Sequence, residues 1–270
     1  MDVKALADEL RAAYASGTIL QPPSARISGF DLPAAYAVEA ELARARRESG
    51  RTAVGRKVGF ANKAMWRILK LDSLVWAHMY DDTVRHAPNN VASLSLSGRV
   101  SPRLEPEIVF GLKATMPSGS TDAPAVLACT EWIALGFEIN DCLFPDWQFR
   151  PADFVAAYGL HTALVVGERR PVTPDALGAL ADQLPRFALQ LLRDGELVEE
   201  GSGKSSLRSP ALCLGELAGL VSRGPAAEPL AAGEIISTGT LTTPQPIAAG
   251  ETWTARVELL DLPDLTLRLE

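Results

Sequence analysis

Cysteine is scarce in this 270-residue sequence, and the three that occur suggest no framework. Cys129, Cys142 and Cys213 are an odd number, and no two of them stand in a CxxC spacing. A disulfide framework needs paired cysteines, and a cysteine-based zinc site needs closely spaced ones. We therefore interpret all three as reduced core residues of a cytoplasmic protein.

Long apolar runs and blocks of positive charge are also missing. No stretch approaches the roughly 18 apolar residues that a membrane-spanning helix needs, and residues 1–4 show no basic-then-apolar signal pattern. The formal net charge of −7, with no basic stripe, argues against a nucleic-acid partner. With 47% hydrophobic residues the chain can still bury a sizeable core. We expect a soluble, cytoplasmic protein that contacts neither nucleic acid nor membrane.

The most informative stretch is residues 103–110, where two acids alternate within a strand pattern. Because side chains alternate along a strand, Glu105 and Glu107 project from the same face, and the apolar residues after them indicate a strand that enters the core. A third acid, Glu138, has apolar neighbours on both sides. Three carboxylates converging from buried strands would suit a hard cation such as Mg²⁺ or Mn²⁺. The alternative is an exposed strand face with solvated glutamates.

Two further residues are candidates for proton transfer. Lys57 lies on a short predicted strand between Gly55 and Gly59, and glycines allow a ligand or another backbone to approach closely. A partly buried lysine is readily used in acid–base chemistry, although a lysine on the solvent face of an edge strand is the alternative. His78 stands in a segment, residues 74–84, that we predict to be irregular, where it is either catalytic or structural.

Helix and strand signals along the rest of the chain indicate an α+β protein, with helices around a mixed β-roll or sheet. Two amphipathic helices are predicted over residues 2–14 and 31–48 and would form an N-terminal flank over residues 1–50. Residues 51–270 would then be a β-rich catalytic domain, unless the whole chain is one continuous domain. The other predicted elements are a helix over 122–132, a loop over 140–147, a strand over 162–166, a hairpin turn at 194–195, a flexible turn over 201–206 and a helix from Ser209 to near Gly224.

Several motifs then coincide in one order along the chain. They are Gly55-Arg56-Lys57-Val58-Gly59, Asn62-Lys63-Ala64-Met65, Glu105-Pro106-Glu107-Ile108, Glu138-Ile139 with Asp146-Trp147, and Gly233 to Gly239 with Gly250. From about residue 30 onward, the chain resembles the 2-keto-4-pentenoate hydratase and 4-oxalocrotonate decarboxylase branch of the fumarylacetoacetate hydrolase superfamily. The resemblance implies a mixed β-roll with flanking helices and a homo-oligomer, or a complex with a related subunit. It also implies Mg²⁺ or Mn²⁺ held by Glu105, Glu107 and Glu138, and an essential Lys57.

The chain departs from the family pattern around the expected substrate pocket. His78 stands where relatives carry an acid, so we expect it to take over the role of that acid as a second catalytic residue. The resemblance also implies substrate contacts from Asn62, Asp153, Tyr158 and Leu160. Tyr158 and Leu160 replace an asparagine and a serine of the family pattern, so the pocket for the substrate tail should be more apolar.

The resemblance implies a small-molecule substrate that carries a 2-keto or 2-enol carboxylate. The first hypothesis is a metal-dependent lyase that adds water to a 2-hydroxy-2,4-dienoate and gives a 4-hydroxy-2-keto acid. One alternative is decarboxylation of a 2-keto-3-enedioate such as 4-oxalocrotonate, or cleavage of a carbon–carbon bond of an acylpyruvate. An alternative of another class is a non-catalytic subunit that stabilises a partner.

Overall fold

The structure is a computed structural model and describes residues 1–118, 122–223 and 228–270. The helices are α1 Val3–Ser16, α2 Pro23–Arg26, α3 Leu32–Glu48, α4 Lys63–Leu69, α5 Ala123–Ala128, α6 Pro151–Ala156, α7 Leu177–Gln183 and α8 Pro210–Val221. The strands are β1 Ala53–Gly59, β2 Val75–Tyr80, β3 Val84–His86, β4 Val91–Leu94, β5 Pro102–Leu112, β6 Thr130–Asp141, β7 His161–Val166, β8 Arg170–Pro171, β9 Ala188–Arg193, β10 Glu196–Ser202, β11 Ile235–Ser237, β12 Gln245–Pro246, β13 Thr252–Glu258 and β14 Leu265–Leu269.

The strands form two mixed sheets. The larger sheet has the order β2-β1-β11-β5-β6-β7-β3, and the smaller one has the order β10-β9-β13-β14-β4. Only residues 81–83 connect β2 to β3, which lie at opposite edges of the larger sheet. The two edges must therefore come close together, so the sheet curls on itself. This architecture, with helices around it, confirms the predicted α+β class and mixed β-roll.

The two faces of the larger sheet bury different side chains. Ile108, Phe110 and Phe137 point away from the glutamates and belong to the main hydrophobic core, which also includes residues of the helices. The face that carries the three glutamates is called the site face below. It also bears a small separate apolar cluster, made of Met79, Val109, Trp132, Ala134, Leu164 and Val166. The glutamates thus share their face with apolar packing, which keeps water from that part of the roll.

The N-terminal helices form as predicted and pack into the main core. α1 begins at the N-cap Asp2 and ends at Gly17, which adopts a left-handed conformation with φ 66°. Leu10 of α1 and Leu42 of α3 are almost fully buried in the same cluster as the sheet residues. These helices therefore contribute directly to the packing around the β-roll.

Three local predictions were wrong. The segment over 74–84, predicted to be irregular, contains β2. Its aromatic and polar side chains are covered on both faces, so the usual alternation of a strand is hidden in the sequence. The helix predicted over 122–132 ends at Ala128, and β6 starts at Thr130 to pair with β5. The start of the predicted loop over 140–147, Asn140-Asp141, belongs to β6.

Near the end of the chain, one prediction is confirmed and another is wrong. The hairpin around Asp194-Gly195 is confirmed as β9 and β10. The predicted flexible turn at 201–206 is instead the end of β10 followed by a 3₁₀ turn over Gly203–Ser205. The helix after Ser209 ends at Val221, and Gly224 lies outside the described residues. Among the helices described, we find none with the length and apolar character to cross a membrane.

Candidate active site

Three glutamates meet where β5 and β6 pair on the site face. Glu105 lies directly opposite Glu138, and Glu107 lies opposite Gly136. One carboxylate oxygen from each glutamate lies within 4.8 Å of the other two. Glu107 and Glu138 are fully buried, whereas Glu105 is partly exposed. A side chain at Gly136 would bring its Cβ to 2.5 Å from a methyl group of Val109, so the glycine keeps this crowded face open.

The partners of Glu107 leave one of its oxygens free. Its Oε2 accepts hydrogen bonds from Ser237 Oγ at 2.5 Å and from the Gly239 backbone N–H at 2.7 Å. Its Oε1 is buried and has no hydrogen-bond partner among the described residues. A buried carboxylate oxygen without a partner is costly unless a cation or a proton binds it.

The pKa values of the three carboxyls shift in different directions: those of Glu105 and Glu107 are raised, and that of Glu138 is lowered. Burial raises the pKa of Glu105 to about 7, and the negative charge of Glu138 adds to this rise. Burial also raises the pKa of Glu107 well above its usual value, with further contributions from Glu138 and Glu105. Burial alone would raise the pKa of Glu138 too, but Lys57 and His161 outweigh it and lower that pKa. Glu105 and Glu107 therefore hold a proton more readily than a free carboxyl does, and a bound cation would displace it.

This donor set fits a hard divalent cation. All three candidate ligands are carboxylate oxygens, which Mg²⁺ and Mn²⁺ prefer over softer donors. Ionising all three buried carboxyls would bring like charges together, which is unfavourable without a positive charge between them. The free Oε1 of Glu107 gives such a cation a ready ligand. The geometry therefore supports a metal centre at Glu105, Glu107 and Glu138.

Lys57 projects from β1 into the same cluster. Its Nζ lies 3.0 Å from Glu138 Oε2 and donates hydrogen bonds to Asn140 Oδ1 at 3.1 Å and to the Gly159 carbonyl at 2.9 Å. The side chain is 1% exposed. These three acceptors match the three N–H groups of an ammonium, so the lysine is held in one place beside the carboxylates.

The Gly159 carbonyl reaches Lys57 from a left-handed turn. Tyr158, Gly159 and Leu160 have φ values of 55°, 61° and 59°, and this region costs a non-glycine residue on the order of 1–3 kcal/mol. A Cβ on Gly159 would lie 2.9 Å from both Lys57 Cδ and Ala77 Cβ. Only glycine fits at position 159. The protein around the turn must hold Tyr158 and Leu160 in their strained conformations.

A histidine holds the second oxygen of Glu138. His161 Nδ1 lies 2.8 Å from Glu138 Oε1, and its Nε2 lies 2.9 Å from Thr83 Oγ1. A hydrogen-bond partner of this kind fixes the direction of a ligating carboxylate. Both oxygens of Glu138 are thus oriented, one by His161 and the other by Lys57.

Comparisons with known proteins bear on this site. No family model matches the chain. A 2-hydroxyhexa-2,4-dienoate hydratase of Comamonas testosteroni is 28% identical over 249 residues, which is 92% of this chain and 91% of the relative. A 2-keto-4-pentenoate hydratase of Burkholderia vietnamiensis is 26% identical over 256 residues, 95% of this chain and 94% of the relative. The 4-oxalocrotonate decarboxylase of Pseudomonas putida G7, solved with magnesium and adipate, shares the fold with a TM-score of 0.88 and 23% identity, covering 99% of this chain and 97% of the decarboxylase.

These relatives match almost the whole chain, and they include both activities for which the branch is named. The chain is therefore similar in sequence to hydratases of this branch of the fumarylacetoacetate hydrolase superfamily, and it shares its fold with the decarboxylase. Within the branch, the sequence resemblance pointed to Glu105, Glu107, Glu138 and Lys57 as a set, and the structure brings all four side chains together.

The structure does not bring His78 to that set. His78 pairs with Arg56, the neighbour of Lys57, so its side chain lies on the face opposite to the site face. There its Nδ1 lies 2.6 Å from Glu39 Oε1, and its ring packs edge-on against Trp76. This position does not support the expectation that His78 replaces the missing acid of the family pattern.

The residues expected to contact substrate have mixed locations. Asn62 is exposed, and its side chain caps α4 by accepting from the Ala64 N–H. Asp153 is fully buried and accepts from Ser24 and from the Arg150 N–H. These contacts give Asn62 and Asp153 structural roles in the chain itself.

Tyr158 and Leu160, by contrast, flank Gly159 and so lie next to Lys57. Leu160 is buried, and Tyr158 is partly buried. Both therefore border the glycine whose carbonyl accepts a hydrogen bond from Lys57.

Asn140 and His161 contact Glu138 but were not predicted from the sequence. Asn140 lies two residues beyond Glu138, so alternation along β6 would have placed it on the site face. His161 is the first residue of β7, just outside the predicted strand at 162–166. Its contact with Glu138 depends on how β7 pairs with β6, which no local pattern reveals.

Replacing His161 with alanine should weaken metal binding. The change removes the hydrogen bond that orients Glu138, and losing such a partner typically costs about 10–100-fold in metal affinity. Isothermal titration with Mn²⁺ would measure it. The matched control is His78→Ala, which removes a histidine from another buried glutamate, Glu39, on the opposite face. Equal losses in both variants would contradict a specific role for His161.

Proposed function

We propose that the protein is a metal-dependent hydratase that adds water to a 2-hydroxy-2,4-dienoate and gives a 4-hydroxy-2-keto acid. The observation that carries the proposal is the buried cluster of Glu105, Glu107 and Glu138 with Lys57 held on one of its members. The curated relatives named above as dienoate and pentenoate hydratases give the reaction class. The product follows from water addition at C4 of the ketonised substrate.

The three glutamates would hold Mg²⁺ or Mn²⁺ and would bind the headgroup of the substrate through it. When bound, the cation would act as a Lewis acid on the carboxylate and 2-oxygen of the substrate. Ser237 and the Gly239 N–H fix Glu107, while His161 and Lys57 fix Glu138. This support keeps the ligands in place without rearrangement when the substrate arrives.

Lys57 is the group that we assign to proton transfer. The reaction needs a proton delivered at C5 of the dienol and then water added at C4, and a positioned acid–base group typically contributes about 10²–10⁴-fold to such steps. Lys57 Nζ is 1% exposed and is held by Glu138, Asn140 and Gly159, so the protein shields it from bulk water. The ring of Phe154, 4.6 Å from Nζ, forms an apolar wall beside it.

Decarboxylation of a 2-keto-3-enedioate is the second candidate. The similarity to the 4-oxalocrotonate decarboxylase fold favours it, because that protein matches over nearly the whole chain. A hydrolase acting on an acylpyruvate would require the same enolate chemistry. A non-catalytic subunit is harder to reconcile with a buried, mutually repelling acid cluster. A homo-oligomer is a further prediction, which light scattering of the purified chain would test.

The decisive experiment follows 2-hydroxypenta-2,4-dienoate by its ultraviolet absorbance. We expect no turnover after treatment with a chelator and full recovery with Mg²⁺ or Mn²⁺, because the carboxylates alone cannot neutralise the charge that develops on the 2-oxygen. In H₂¹⁸O the product should carry the label at C4. Parallel assays with 4-oxalocrotonate measure release of CO₂. Full activity in the metal-free protein would overturn the proposal, and a preference for 4-oxalocrotonate would replace hydration by decarboxylation.

A further inference from the structure

The N-terminal helix reaches the active site through one tyrosine. Tyr14, on α1, places its hydroxyl 3.1 Å from the Asp141 carbonyl and 3.1 Å from the Ala157 carbonyl. Its ring packs edge-on against Tyr158, with centroids 5.6 Å apart and planes at 76°. One phenolic proton is therefore shared between two carbonyl oxygens.

Those two carbonyls belong to the segments that hold Lys57. Asp141 directly follows Asn140, whose side chain accepts from Lys57 Nζ. Ala157 comes two residues before Gly159, whose carbonyl is the other neutral acceptor of the same Nζ. The hydroxyl of Tyr14 thus connects the end of β6 to the left-handed turn at Tyr158–Leu160.

The turn needs such a connection because its backbone is strained. Tyr158 and Leu160 have positive φ values of 55° and 59°, which L-residues avoid unless their surroundings hold them. Burial raises the pKa of Tyr14 well above its usual value, so its hydroxyl keeps the proton that it donates. The link is therefore present throughout the pH range in which proteins normally work.

We propose that Tyr14 is a positioning residue for Lys57, because its hydroxyl joins the two chain segments that supply the neutral acceptors of the lysine. The inference rests on the proposed role of Lys57 in proton transfer. Tyr14 touches neither Lys57 nor the metal-facing carboxylates, so it acts only through these segments. It gives the N-terminal helix a part in the chemistry that its sequence, an ordinary amphipathic helix, does not indicate.

The test compares Tyr14→Phe with Tyr36→Phe in the full chain loaded with Mg²⁺. Tyr36 is another largely buried tyrosine, and its hydroxyl accepts from the Trp76 N–H near α3, away from the acceptors of Lys57. We expect Tyr14→Phe to lower kcat on the dienoate at least about tenfold, as displacement of a reacting group does. The KM and the Mg²⁺ affinity should change by less than about twofold, because substrate and metal binding do not involve Tyr14. Tyr36→Phe should keep the wild-type kcat.

Hydrogen exchange of backbone amides gives a readout that needs no activity. Tyr14→Phe should raise exchange in residues 138–142 and 155–162, and Tyr36→Phe should leave both segments unchanged. If the wild type turns over no dienoate, the proposed function fails, and the exchange measurement still decides whether Tyr14 holds the two segments. Wild-type kcat in Tyr14→Phe, equal losses in both variants, or unchanged exchange in both segments would overturn the inference.

Discussion

Replacing Lys57 with methionine is expected to lower kcat by about 10²–10⁴-fold, the usual contribution of a positioned acid–base group. Methionine keeps much of the volume of the lysine stem but has no proton to transfer. Metal affinity should change far less than kcat, because the loss of the contact that orients Glu138 is opposed by the removal of a positive charge 3.0 Å from that carboxylate. Stopped-flow kinetics on the dienoate, together with Mn²⁺ titration, would measure both quantities.

Two further variants make this result specific. Lys57→Arg retains the charge, but a guanidinium does not give up its proton in proteins, so it should be as inactive as Lys57→Met. Lys204→Met removes an exposed lysine outside the site and should keep the wild-type kcat. Circular dichroism and Mn²⁺ binding would confirm that the Lys57 variants are folded. A folded Lys57→Met that binds Mn²⁺ and retains its kcat would remove the lysine from the mechanism.

The central part of the site could be predicted from the sequence because strand geometry is local. Two glutamates two residues apart must share a face, whatever the rest of the chain does. An apolar neighbourhood then implies burial, and buried acids imply a cation. The same logic identified Glu138, although its position directly opposite Glu105 required the pairing of β5 with β6.

The parts that could not be predicted depend on long-range pairing or on backbone groups. Gly159 contributes a carbonyl, which leaves no trace in the type of side chain. His161 contacts Glu138 across neighbouring strands, 23 residues apart in the sequence. The hydroxyl of Tyr14 donates to the carbonyl of Ala157, which lies 143 residues away in the sequence. No spacing rule connects residues that are separated in this way.

His78 shows how a family pattern can mislead about one residue. Its place in the sequence suggested that it belongs to the site. In β2, however, successive side chains point to opposite faces, and the pairing with β1 sets His78 opposite Arg56. Ala77, one residue earlier, is the one that shares the face of Lys57. A shift of one residue along a strand is enough to move a side chain from the active site to the opposite surface of the sheet.

Replacing Glu107 with glutamine should abolish tight metal binding. The Gly239 N–H is a fixed donor to the Glu107 side chain at 2.7 Å, so the amide oxygen of the glutamine must occupy that place. Its NH₂ group then points toward Glu105 and Glu138, where the cation would lie. We expect Mn²⁺ affinity to fall by at least about 100-fold, beyond the loss typical of a supporting residue. Glu131→Gln, an exposed change on β6, is the matched control and should bind Mn²⁺ normally.

The raised pKa values should also make the stability of the protein depend on pH and on metal. In the metal-free wild type, Glu105 has its pKa raised to about 7 and Glu107 has its pKa raised further, so the folded state holds more protons than the unfolded state above about pH 4.5. The free energy of unfolding must then fall as the pH rises through this window. Metal binding releases those protons, so Mn²⁺ affinity should weaken as the pH falls below about 7, and the stabilisation by Mn²⁺ should be largest at pH 8.

Thermal unfolding with chelator and with Mn²⁺, at pH 5 to 8, measures both effects. Without metal at pH 8, Glu107→Gln should melt a few degrees above the wild type, because the wild-type Glu107 must take up a proton when the chain folds, whereas glutamine is neutral in both states. About 1 kcal/mol corresponds to roughly 2–4 °C in a chain of similar size. With Mn²⁺ the order should invert, since only the wild type gains the binding energy. A metal-free wild type whose stability rises steadily from pH 5 to 8 would show that these carboxyls are not held protonated in the fold, and the argument for a buried metal centre would lose its electrostatic basis.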